Sequence, residues 1–140
     1  MSADEIIKLA TKGNASAESF CRSWVTFCHL VDDLHDKDKA VSDDYLAGML
    51  CAHTVELASN PFFQLHKEAL IALMIQSANA WLDANRMRLA ANPQLWVASD
   101  VLKGFYHEVV FHCAMIVGGW THLRQVTQEC REYDFERTGA

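Results

Sequence analysis

Turn-forming residues are scarce, with two prolines and six glycines in 140 residues, which excludes collagen-like, low-complexity and loop-rich folds. Positive charge is scarce too: twelve Lys and Arg against eighteen Asp and Glu leave a net charge of -6. Neutralising a phosphate backbone needs a basic face, so nucleic acid is not an expected partner. Long apolar runs are missing. The most apolar stretch, Val109 to Trp120, is short and interrupted by His112, so no segment is expected to span a membrane. Met1 to Ala10 carries acids where a signal peptide would carry a basic start and an apolar middle, so none is expected. Cysteine occurs five times, at 21, 28, 51, 113 and 130, in spacings of neither a C-x-x-C pair nor a zinc ribbon. Cys21 and Cys28 stand too far apart along one helix to bridge. These cysteines read as reduced, mostly buried small hydrophobes of a cytoplasmic protein.

What is present is helical periodicity. The chain is 51% hydrophobic, and residues 1–140 make one domain able to bury roughly two thirds of its unfolded surface. A short first helix over Asp4–Lys12, ended by Gly13-Asn14, forms an arm or extra helix within residues 1–15. Ser16 is the expected cap of a second helix reaching about His35, with Phe20, Trp24, Phe27, Cys28, Val31 and Leu34 in one apolar stripe. At about 100° per residue, Asp32 and Asp36 edge that face and His35 falls inside it. Ser42 before Asp43 and Asp44 opens a third helix, to about Ser59. Its apolar face holds Tyr45, Leu46, Met49, Leu50 and Leu57, with His53 and Glu56 among them. Asn60-Pro61 starts a fourth helix, to about Ala91, apolar nearly all round; it is expected at the centre of a bundle or against another subunit. Asn92-Pro93 opens a last helix, from about Gln94 to Arg131, kinked at Gly118-Gly119. The polar tail, 132–140, is expected to fray. The fold class is all-α: a mainly antiparallel bundle of four main helices with a short extra N-terminal one.

The densest chemistry lies in His29–Asp38, where six of ten residues are His or Asp. Asp32-Asp33-Leu34-His35-Asp36 resembles, over five residues, the D-D-x-x-D motif of isoprenyl diphosphate synthases. That resemblance implies a divalent cation held between Asp32 and Asp36. A second aspartate-rich motif is absent, so their activity is not carried over. The chain is also similar in size and helical content to all-α nucleoside triphosphate pyrophosphohydrolases, without their paired E-x-x-E helix.

Glu56 and His53 are placed by periodicity alone. An unpaired buried carboxylate costs several kcal/mol, so Glu56 must be paired, protonated or bound to metal. Facing helices build internal metal sites from such acids. Two readings follow. The first is a helical binding or assembly module, a homo-oligomer with a possible protein partner, in which buried polar groups fix helix register. The alternative is a magnesium- or manganese-dependent phosphate or diphosphate hydrolase, with Asp32, Asp36, Glu56 and Asp83 as ligands and His35 or His53 carrying the proton.

Overall fold

The computed structural model describes residues 2–37 and 39–138. Asp38, in the charged connector after the second helix, and the last two residues of the tail lie outside the described residues. The described chain is helical, without strands: α1 (Ala3–Thr11), α2 (Ala15–Asp36), α3 (Asp43–Ser59), α4 (Pro61–Arg88), α5 (Pro93–Lys103), a 3-10 turn (Gly104–Tyr106) and α6 (His107–Thr138).

Local chemistry sets most of these boundaries. Ser42 Oγ accepts from the Tyr45 amide at 3.1 Å to open α3, and Asn60 Oδ1 from the Phe63 amide at 2.9 Å to open α4, each satisfying an amide that the helix leaves unpaired. α2 is capped by Asn14, which accepts from Ala17, two residues before the expected Ser16. α1 closes on Lys12 in the left-handed region (φ 51), with Gly13 (φ 82) following.

The core gathers Ile6 and Ile7 of α1, Phe20 and Trp24 of α2, Phe63 and Leu70 of α4, and Val109, Val110, Cys113 and Val126 of α6. Phe20 is fully buried and stacks on Phe63 with ring centroids 5.2 Å apart; burying such a ring stabilises by roughly 1.5–3 kcal/mol. α1 is therefore no loose arm, since its apolar side is buried and it packs on α6 and α2. α3 is the reverse case: His53 is its one buried residue, while Tyr45 and Leu50, expected on its inner face, are exposed. α4 buries Phe62, Phe63 and Leu70 on one side and leaves Ile71, Ile75 and Leu82 exposed on the other.

The expected single last helix is broken. The 3-10 turn at Gly104–Tyr106 separates α5 from α6, and Gly119 (φ 81, ψ -170) interrupts α6 where the glycine pair had pointed. Tertiary bonds meet the first break: Trp24 Nε1 donates to the Tyr106 carbonyl at 2.9 Å, and Ser77 Oγ to the Phe105 carbonyl at 3.4 Å. Two neighbouring helices thus bond carbonyls of the turn. The expected frayed tail is helical up to Thr138.

Candidate functional site

The residues singled out from the sequence fall into separate environments. Glu56 is half-buried and answers its own desolvation with neighbours: it accepts from Ser19 Oγ at 2.6 Å and from Asn60 Nδ2 at 2.7 Å. Asn60 also donates to the Ser16 carbonyl at 2.8 Å. His53 is buried, shares a 2.7 Å hydrogen bond between Nδ1 and Ser23 Oγ, and stacks on Phe27 with centroids 4.5 Å apart. Burial lowers the His53 pKa, against the opposing pull of the Glu56 charge. Ser19, Ser23 and Phe27 are spaced by four on α2, so they form one row facing α3. That spacing was the available signal for the partners of Glu56 and His53. As the index falls from Ser23 to Ser19 it rises from His53 to Glu56, so α2 and α3 run antiparallel.

The other acids do not join them. Asp32 accepts from Trp81 Nε1 at 3.2 Å. Asp36 is exposed, with its carboxylate 4.0 Å from His35 Nε2. His35, expected inside the apolar face, is exposed near the end of α2, with its ring edge-on to Trp81 (centroids 5.1 Å apart). Asp83 is exposed on α4. Among the described residues, no group of three or more His, Cys, Asp or Glu is placed to hold a metal ion. Glu108 pairs with Arg131 at 3.0 Å. His112 has its pKa lowered by burial and then by nearby His66.

A concavity lies where α2, α4, α5 and the 3-10 turn meet. It has a volume of about 720 Å³, and its wall includes Trp24, Phe27, Cys28, Asp32, Trp81 and Tyr106. The 3-10 turn contributes Gly104 and Tyr106 to its wall. Tyr106 is fixed on several sides: its carbonyl takes the Trp24 proton, its hydroxyl shares a 3.3 Å hydrogen bond with His29 Nε2, and the His107 ring lies 4.1 Å from its own. Cys28, on the wall, has its pKa pushed up to about 12 by burial. Asp100 at the rim is paired with Arg88 at 3.3 Å. Periodicity assigned Trp24 and Phe27 to the apolar stripe of the second helix, because apolar spacing looks the same whether a ring meets a neighbouring helix or an open space.

The chain finds no match among protein-family models, curated proteins or solved structures.

Proposed function

We propose that the protein is a helical binding module, cytoplasmic and oligomeric, that seats a small organic ligand in the pocket between α2, α4 and the α5–α6 break without transforming it. The observation that carries this reading is the pocket itself: about 720 Å³ with an aromatic wall, within the roughly 300–1,000 Å³ of ordinary ligand sites. Cys28 supports binding over catalysis, since burial keeps it a neutral thiol, the poor nucleophile of the two forms. The polar groups of α2, α3 and α4 bond to one another and set helix register, the role expected of a scaffold. That scaffold is read as a mainly antiparallel bundle of four main helices, α2, α3, α4 and α6, with α1 added. Five free cysteines favour a reducing compartment.

Self-association is supported by α4, whose exposed Ile71, Ile75 and Leu82 form one stripe at helical spacing. A second copy of the same stripe is its natural cover. Sedimentation equilibrium then gives more than one chain per particle, and Ile75→Lys returns it to one. The metal-dependent phosphohydrolase draws no support from the arrangement, because Glu56 is occupied by Ser19 and Asn60 and Asp83 faces solvent.

The pocket is tested with Nile red, a neutral dye that brightens in apolar surroundings. Saturable brightening with one site per chain is expected, lost in Ala78→Trp, which fills the pocket from an exposed wall position. Equal binding by that variant sinks the reading.

A further inference from the structure

The charged side chains on the pocket wall are not all accounted for by the protein. Asp100 has Arg88. Asp32, half-buried on α2, accepts one hydrogen bond from Trp81 and forms no ion pair among the described residues. Lys103, half-buried at the end of α5, lines the same pocket and forms none either. The two do not pair with each other. A partly desolvated charge without a counter-charge is unfavourable, so one wall of each sign is left to be met from outside. The rings of Trp24, Phe27, Trp81 and Tyr106 also line the space, and such rings receive other rings and, on their faces, cations.

We propose that the pocket takes an aromatic zwitterion: an organic molecule whose cationic nitrogen meets Asp32, whose anionic group meets Lys103, and whose rings lie against the aromatic wall. This rests on the binding reading above and adds the ligand's chemical class. A metal ion does not fit the wall, since Lys103 repels it. A purely anionic phosphate ester does not fit it either, because Asp32 repels that ligand and the rings give it nothing. An uncharged apolar ligand leaves both charges unmet. His29 and His107 also line the pocket; His29 is bonded to Tyr106 and His107 packs on it, so neither replaces Lys103 as the anion's partner.

The test is a matched set of peptides on the full chain: diphenylalanine, its N-acetyl form without the cation, its C-terminal amide without the anion, the doubly blocked form, and glycylglycine as a zwitterion without rings. Binding is read as displacement of Nile red and as the shift of the thermal midpoint. Diphenylalanine is expected to bind at least about tenfold more tightly than either singly blocked form, a factor worth 1.4 kcal/mol. Glycylglycine is expected not to displace the dye. Asp32→Asn should erase the preference for the free amine while keeping that for the free carboxylate, and Lys103→Met should do the converse. Because both positions are partly exposed, neither variant threatens folding, and circular dichroism checks it. If all four phenylalanine peptides displace the dye equally, the zwitterion is refuted while the binding pocket stands. No displacement by any peptide refutes the zwitterion as well. If the dye itself binds Ala78→Trp as it binds the parent, the pocket reading fails with it.

Discussion

Asn60 is the residue on which three helices depend. It ends α3, starts α4 through its bond from the Phe63 amide, and donates both to the Ser16 carbonyl of α2 and to Glu56. Asn60→Ala removes a cap worth about 1 kcal/mol. It also removes a neutral hydrogen bond worth about 1 kcal/mol and one to a charged carboxylate worth about 1.5–3 kcal/mol. A total of about 3.5–5 kcal/mol is expected, toward the lower end because Glu56 is only half-buried and keeps Ser19. The informative variant is Asn60→Asp. Aspartate caps as well as asparagine, so if capping were the whole role, the substitution would be silent. It instead places an oxygen where Nδ2 stands, 2.7 Å from Glu56 Oε1, and like charges at such range repel by several kcal/mol even at an effective dielectric near 20. Asn60→Asp is therefore expected to cost at least as much as Asn60→Ala at neutral pH. Adding Glu56→Gln should recover a large part of it. Urea unfolding followed by circular dichroism gives the free energies, provided the slope with denaturant stays constant, and the pair forms a double-mutant cycle. Asn60→Asp within about 0.5 kcal/mol of the parent would refute the junction.

The histidines set a pH dependence. His53 and His112 both have native pKa values lowered from the ordinary 6.5 by burial, so protons bind the unfolded chain first. Their stabilisation is full above about 6.5 and is lost as pH falls through the lowered native values. The unfolding midpoint should drop between pH 8 and pH 5, and less steeply in His53→Asn, which keeps a polar atom near Ser23; an unchanged slope would remove His53 from the account. Thiol accessibility is a separate check. Cys51 is exposed, while Cys21, Cys113 and Cys130 are buried; the hydrogen bond with Cys113, then burial, raises the Cys21 thiol well above its ordinary range. A disulfide reagent at pH 8 should find one fast thiol in the native protein and five in denaturant, and Cys28 reacting as quickly as Cys51 would contradict its burial.

The parts of the fold legible in the sequence are those set by neighbours in the chain. Ser42, Asn60 and Asn92-Pro93 mark helix starts because capping is an interaction across two or three residues. The stripe read on α2 holds at Phe20 and Trp24, which are buried, whereas Leu34 is exposed and the buried Cys21, Val25 and Leu30 lie outside it. Contacts between distant segments were not legible. That Tyr45 and Leu50 face outward follows from how α3 is held, through His53 and Glu56 rather than an apolar seam. At the site, the need of Glu56 for partners was visible as a desolvation argument, but the argument could not choose a metal over Ser19 and Asn60. Helical angles turned His35 toward the apolar side, where its ring meets Trp81, but they say nothing of how much of it stays exposed.

The two glycine breaks show the same division and permit a sharper test. Gly119 has φ 81 and ψ -170, a conformation open essentially to glycine alone, and a side chain there costs roughly 1–3 kcal/mol although an added Cβ meets nothing within 4 Å. Gly104 has φ -76 and ψ -3, which alanine adopts, and an added Cβ meets His107 Nδ1 at 3.8 Å, an ordinary contact. If glycine made both breaks, alanine at either place would disturb the protein. If the break at 104 is instead held by Trp24 and Ser77 on its carbonyls, Gly104→Ala leaves stability within about 0.5 kcal/mol and dye binding unchanged, while Gly119→Ala is destabilised. Trp24→Phe keeps an aromatic ring but removes the N–H donor and part of a buried indole, so it should cost more than the about 1 kcal/mol of the hydrogen bond alone and weaken the pocket where Gly104→Ala does not. Loss of dye binding in Gly104→Ala, with Trp24→Phe unaffected, would show that local backbone preference, and not the contact between α2 and the turn, shapes the site.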